Sequence, residues 1–235
     1  MLNANHYTVP RFKAHTKVIT NMLSKTLFLA SLRFALAAIT VINSDPPNPQ
    51  LKALSARYVI HNVDWVSIAT ISTLPFAKSY PFTNIKSMSD GPISQGTGIP
   101  YILMTGIDFS GKDLEANPRC SVMGSLAELP YCKEKEYDPE DPRCARVILT
   151  GQFERLDNTT AEYQFAKDAL YSRHPAMKFW PKVHKFYIGK LCVENIIVLN
   201  DFGGEVFVTP EDYFNANDTL LYENRYNKIA AIPSF

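Results

Sequence analysis

Several chemistries are missing from this sequence of 235 residues. Its four cysteines include no Cys-x-x-Cys pair and its five histidines no His-x-x-x-His spacing, so the usual signature of a zinc site is absent. There is no Gly-x-Ser-x-Gly elbow to support an acyl-transfer triad, no glycine-rich phosphate loop and no internal repeat. Neither sign of charge is in excess. The 24 Lys plus Arg stand against 23 Asp plus Glu, which gives nucleic-acid binding no electrostatic basis. No apolar run reaches the roughly 20 uncharged residues that a membrane-spanning helix needs. With 46% apolar, 20% charged and 12% aromatic residues, the composition is that of a globular chain with one sizeable core.

The first 44 residues hold no carboxylate, only Arg11, Lys13, Lys17, Lys25 and Arg33, so the remainder is mildly acidic, with 19 basic against 23 acidic residues. Within this leader, residues 27–42 are mostly apolar, follow Lys25 and are interrupted by Arg33. The pattern fits a secretory signal peptide, with Ala35-Leu36-Ala37 as the small-x-small site and cleavage near Ala37. A mitochondrial transit peptide, which a basic, acid-free leader also fits, and an unprocessed cytosolic chain are the alternatives. Two N-x-Ser/Thr triplets, at Asn158 and Asn217, add to the secretory reading. Of the cysteines, Cys132 and Cys144 enclose eleven charged and proline-bearing residues that cannot form a core of their own. A bridge there would contribute on the order of 3 kcal/mol by constraining the unfolded chain, the alternative being two reduced thiols beside a solvated loop. Cys120 and Cys192 read as small buried residues in strands, with a second bridge left open.

A proline-rich joint over 45–50 separates the leader from the domain at 51–216, and 217–235 form a C-terminal tail. Leu51, Leu54 and Tyr58 recur at helical spacing up to Asn62. Strands are predicted over 65–72, 81–88, 101–106, 120–125, 145–156 and 186–199, with a turn or flexible loop over 89–98. A short helix over 113–117 stops before Pro118. Thr159 with Glu162 reads as a capping box for a helix through Tyr171 whose inner side carries Ala161, Phe165, Ala169 and Leu170. Thr209-Pro210-Glu211-Asp212 starts another helix. Helices do not alternate with every strand, so the fold class is α+β, an antiparallel barrel with peripheral helices.

Trp65-Val66-Ser67-Ile68-Ala69-Thr70-Ile71-Ser72-Thr73, Ser89-Asp90-Gly91-Pro92, Gly98-Ile99-Pro100-Tyr101, Asn117-Pro118, Arg173-His174-Pro175-Ala176-Met177-Lys178-Phe179-Trp180-Pro181 and Asp201-Phe202-Gly203-Gly204 together resemble the CREG family of secreted glycoproteins. The resemblance runs from about Ala56 to Tyr213. It implies a split β-barrel of the flavin-mononucleotide (FMN)-binding type, assembled as a homodimer and secreted or delivered to endosomes and lysosomes. It further implies a role in growth and differentiation control without catalysis. Occupied sequons would offer glycans to a sorting or cell-surface receptor.

Split-barrel flavoenzymes such as the pyridoxamine phosphate oxidases hold the cofactor phosphate with arginine and lysine, as a dianion requires. In this chain the matching positions carry Asn84, Phe109 and Ser110. No cofactor is therefore expected. Were FMN retained, Lys86, Lys112 and His174 would be the residues to hold it, and a haem- or flavin-dependent oxidoreductase using His174 is the rival function. The simpler role for His174 is a hydrogen bond to backbone that orders the turn before Trp180. His61 and His184 lack a partner at a recognisable spacing. Phe179, Trp180, Phe186 and Tyr187 are expected in the core, a ligand-facing wall or an oligomer contact being the alternative, and the acidic loop 134–141 is either solvated or set against a receptor or the cofactor cleft.

Chain collected from the medium of secreting cells is expected to begin shortly after Ala37 and to lose mass on N-glycosidase treatment, by less in Asn158→Gln. Mass spectrometry checks both, and an intact leader with unaltered mass would refute the secretory reading.

Overall fold

A computed structural model describes residues 45–216. The leader with its cleavage point, the Asn217 sequon and the tail lie outside them. The elements run α1 (Lys52–Asn62), β1 (Trp65–Ile71), β2 (Pro81–Ser89), β3 (Tyr101–Met104), α2 (Phe109–Ala116), β4 (Arg119–Ser125), α3 (Pro130–Glu134), β5 (Arg146–Arg155), α4 (Ala161–Arg173), β6 (Tyr187–Leu199), β7 (Val206–Val208) and α5 (Pro210–Asn215). The strands are ordered β3-β2-β1-β4-β5-β6-β7, every pairing is antiparallel, and β3 also pairs with β6. Six strands thus close a barrel, which removes free edges, while β7 extends one side.

Alternation decides which side chains enter the barrel. Val66 and Ile68 of β1, Val122 of β4, Val147 and Leu149 of β5, and Ile196 and Val198 of β6 point inward and are buried. The α1 helix joins this core through Val59, Ile60 and Val63, and a Cβ on Gly124 of β4 would already touch Val63 at 3.1 Å. Its spacing predicted a helix up to Asn62, where it ends. Nine of its eleven residues are buried, polar ones included, because the helix packs against β4 to β7 and α5. A second cluster, Tyr101, Leu156, Ala166, Leu170 and Ile188, seats α4 on β3 and β6.

Several expectations need correction. The α4 cap is Thr160, whose hydroxyl accepts from the Tyr163 amide at 3.2 Å. Thr159 instead donates to Asp157 through amide and hydroxyl, and Glu162 turns to Lys190 at 2.8 Å. Ala161 is exposed while Ala166 faces inward. The short helix starts earlier than read, at Phe109, because Asp108 caps it through the Gly111 amide at 3.3 Å. Strand β7 and α3 were not predicted from the sequence. Thr209 caps α5 as expected, accepting from the Asp212 amide.

Cys132 and Cys144 are joined, with Cα atoms 5.5 Å apart, and Cys120 and Cys192 remain free. The loop they close runs to the joint and to the β6–β7 turn, through Lys135 to Asp45 and Arg143 over Phe202. Reducing this bridge, or replacing both cysteines by serine, is expected to lower the unfolding free energy by about 3 kcal/mol. Urea denaturation reads it, and an unchanged midpoint would mean that the loop is held by its other contacts.

Candidate functional site

Two polar groupings stand on β2, at its end and at its middle. At the end, Asp90 is buried together with His61 of α1 and Arg173 from the last turn of α4. Asp90 Oδ1 lies 2.8 Å from His61 Nδ1 and accepts from Arg173 Nη2 at 3.0 Å, while its Oδ2 accepts from the Gly98 amide at 3.1 Å. The His61 Nε2–H donates to the Ile93 carbonyl at 3.0 Å, so the loop after β2 is tied at both ends to one node. Arg57, also buried, donates to the Gly96 carbonyl at 2.7 Å and to the Tyr213 carbonyl at 3.3 Å, and the Tyr213 hydroxyl donates to the Gly98 carbonyl. A Cβ on Gly96 would come within 2.5 Å of both Asp90 and His61, which explains glycine there. Burial by itself would push the Asp90 carboxyl up. The His61 hydrogen bond, the charges of His61 and Arg173 and the Gly98 amide outweigh it and hold the group below the usual carboxylate range.

In the middle of β2, Asn84 Nδ2 donates to Ser110 Oγ at 3.2 Å and lies 3.4 Å from Asp108 Oδ2. Lys86 Nζ meets the same Asp108 oxygen at 2.6 Å. The positions that carry cationic groups in flavoenzymes do converge, but this chain fills them with an amide, a hydroxyl and a carboxylate that neutralises the nearby lysine. At Asn84, Ser110 and Asp108 a dianionic phosphate would meet an amide, a hydroxyl, a carboxylate and a lysine already paired to that carboxylate, so these residues do not fit FMN. Lys112 does not join the group and lies exposed over the Phe109 ring at 6.0 Å. His174 does not either, its Nε2 being 3.0 Å from the Met88 carbonyl, a backbone partner on β2 and not in the turn before Trp180. Among the described residues, no cluster of three His, Cys, Asp or Glu could hold a metal.

The sequence missed His61, read as lacking a partner. Asp90 is 29 residues away and Arg173 112, so only the packing of β2, α1 and α4 brings them together. The one legible trace was the run of glycines after Asp90. Phe179 and Trp180, expected in the core, are exposed instead, while Tyr187 is buried and Phe186 half-buried. Asn158 is exposed in the turn before α4, accessible to a glycan.

The outward face of the barrel carries a different pattern. Pairing aligns Ile85, Ser67, Met123, Ile148, Ile197 and Phe207 in one row across six strands. Ile85 is 61% exposed, Met123 38% and Phe207 77%, an uncharged stripe. Beside it lies a cleft of about 400 Å³ lined by Ile71, Pro81, Arg119, Ser121, Thr150 and Glu194.

Residues 47–215 match the family described as "CREG, beta-barrel". The chain is 42% identical over 191 residues to Protein CREG1 of Gallus gallus, covering 80% of this chain and 98% of that protein. To Protein CREG1 of Homo sapiens it is 40% identical over 172 residues, covering 72% and 77%. Among solved structures it is similar to a heme binding protein from Mycobacterium smegmatis, with TM-score 0.56, 20% identity and coverage of 73% and 62%. It is also similar to ChuZ of Campylobacter jejuni, with TM-score 0.53, 11% identity and coverage of 72% and 63%. At such identities the two structures bear on the fold alone, the split barrel.

Because Asp90 is held ionised in the folded chain, its contribution to stability is complete above about pH 4 and is lost as pH falls through its lowered folded value. Arg173→Leu, which strips a buried carboxylate of its cation, is expected to cost about 3–5 kcal/mol at neutral pH. Thermal unfolding across pH tests both, and Asp90→Asn that retains the native acid limb would contradict the assignment.

Proposed function

This chain belongs to the CREG family, and on that premise we propose that it is a non-catalytic binding and signalling protein. It acts in growth and differentiation control, as a glycoprotein that is secreted or resides in endosomes and lysosomes, and it works as a homodimer without flavin or haem. The observation that carries the non-catalytic reading is the Lys86–Asp108 pair beside Asn84 and Ser110, where a flavin phosphate would need unpaired cations. The use of His174 on the Met88 carbonyl argues in the same direction against haem ligation.

The uncharged row from Ile85 to Phe207 and its adjoining cleft support the dimer. The row itself carries no charge, so a two-fold pairing would cover it without setting like charges against each other. Glu128 is a group that favours the fold in mild acid. Burial pushes its carboxyl up from 4.5 to about 7, with amides of Ser125 and Trp65 pulling the other way. Folded Glu128 therefore holds a proton that the unfolded chain releases between those values, and this group favours the fold more as pH drops from 7 toward 4.5.

Protein purified from medium is expected to be colourless and to show no saturable response to added FMN. A stoichiometric flavin or haem band would overturn the reading. Light scattering is expected to give a dimer for the native chain and a monomer for Ile85→Glu with Met123→Glu, whose side chains are solvent-exposed in the single chain. A monomeric native chain would refute the assembly.

A further inference from the structure

The segment between α4 and β6 is unlike the rest of the surface in charge. From residue 169 to 193 there is no carboxylate, while Arg173, Lys178, Lys182, Lys185 and Lys190 supply five positive groups. Outside it, the chain beyond residue 44 has 14 basic against 23 acidic residues. Arg173 is committed to Asp90 and Lys190 to Glu162. Lys178, Lys182 and Lys185 are exposed, and among the described residues none of the three enters an ion pair.

Between these lysines the chain exposes large apolar groups. Phe179 is 85% exposed, Val183 77% and Trp180 41%. They are not on a loose loop. Two 3-10 turns, Pro175–Phe179 and Lys182–His184, shape the segment, and the Thr105 hydroxyl donates to the His184 carbonyl at 2.5 Å. The Trp180 ring leans on Phe186, with centroids 5.4 Å apart. Lys185 closes the second turn in the left-handed region, at φ 51°, a conformation a lysine adopts only where the surroundings impose it. The Ile107 amide donates to Thr105 on the same rim, and its side chain, 63% exposed, extends the apolar tip.

We propose that residues 178–185 form a docking surface for a membrane containing anionic lipid, Phe179, Trp180 and Val183 entering the interface and Lys178, Lys182 and Lys185 meeting the headgroups. Tryptophan and phenylalanine favour the headgroup boundary, and each nearby lysine adds an attraction to anionic lipid that salt weakens. A second copy is the poorer occupant for this tip, since two-fold pairing would set the same lysines against each other. The surface lies on the turns before β6 and shares no residue with the row from Ile85 to Phe207.

The test mixes full chain with vesicles of phosphatidylcholine alone and of phosphatidylcholine with phosphatidylglycerol. Trp65→Phe leaves Trp180 as the single tryptophan, and brominated lipid then reports whether Trp180 itself enters the bilayer. Flotation is expected only with phosphatidylglycerol, weakened by salt, with Trp180 quenched. Each Lys→Gln change among the three is expected to lower vesicle partition about fivefold, and Phe179→Ser with Val183→Ser to abolish quenching. These side chains are exposed, so an unchanged melting curve checks folding. Vesicle binding without Trp180 quenching would place the contact elsewhere, such as in the basic first 44 residues, and would overturn the proposal. A changed oligomeric state of Phe179→Ser with Val183→Ser in the absence of lipid would overturn it too, marking a protein interface.

Discussion

The arrangement of this molecule turns on one buried carboxylate. Asp90 sits where β2 leaves the barrel, and the groups that stabilise it come from three other places: His61 on α1, Arg173 at the end of α4 and the Gly98 amide across the loop. A buried carboxylate without such partners would be prohibitively costly, so the helix within the core, the helix outside it and the loop between strands must adopt one mutual position. Arg57 and Tyr213 continue the network to α5. The four helices and strands so connected are distant in sequence, which makes the node a source of specificity as much as of stability.

The same barrel that positions this node also brings Asn84, Asp108 and Ser110 together at the turn into α2. Convergence of those positions is a property of the backbone, set by the register of β2 and the start of the helix. What they can bind is a property of the side chains. An acidic cap on α2 supplies locally, through the Gly111 amide and Lys86, the neutralisation that a bound phosphate would provide in a flavoenzyme. The surfaces with unusual properties lie elsewhere, on the uncharged outer row and on the lysine-flanked aromatic tip.

Inward and outward faces of the barrel show how differently sequence patterns report on structure. The strands were legible because β-branched residues alternate in them, and their bounds differ from expectation by one or two residues at most ends. Exposed Phe179 and Trp180 were misjudged because aromatic residues between prolines carry no periodicity, so hydrophobicity alone argued for burial. The cap of α4 was misplaced by one residue because Thr159 and Thr160 are chemically equivalent, and only the position of Asp157 decides which hydroxyl faces the helix.

Local pattern was enough for the fold class, the order of most strands and helices, and the absence of arginine and lysine at 84, 109 and 110, while for Cys132 and Cys144 it left a bridge and two reduced thiols both open. Each of these depends on local pattern, on spacing along the chain or on the presence of a residue type. Tertiary structure alone decided that His61, Asp90 and Arg173 share a buried site, that Lys86 is neutralised by Asp108, and that six outward residues align into one row. These depend on strand register and on helix placement, which bring together groups tens of residues apart, and no local pattern along the chain encodes that distance.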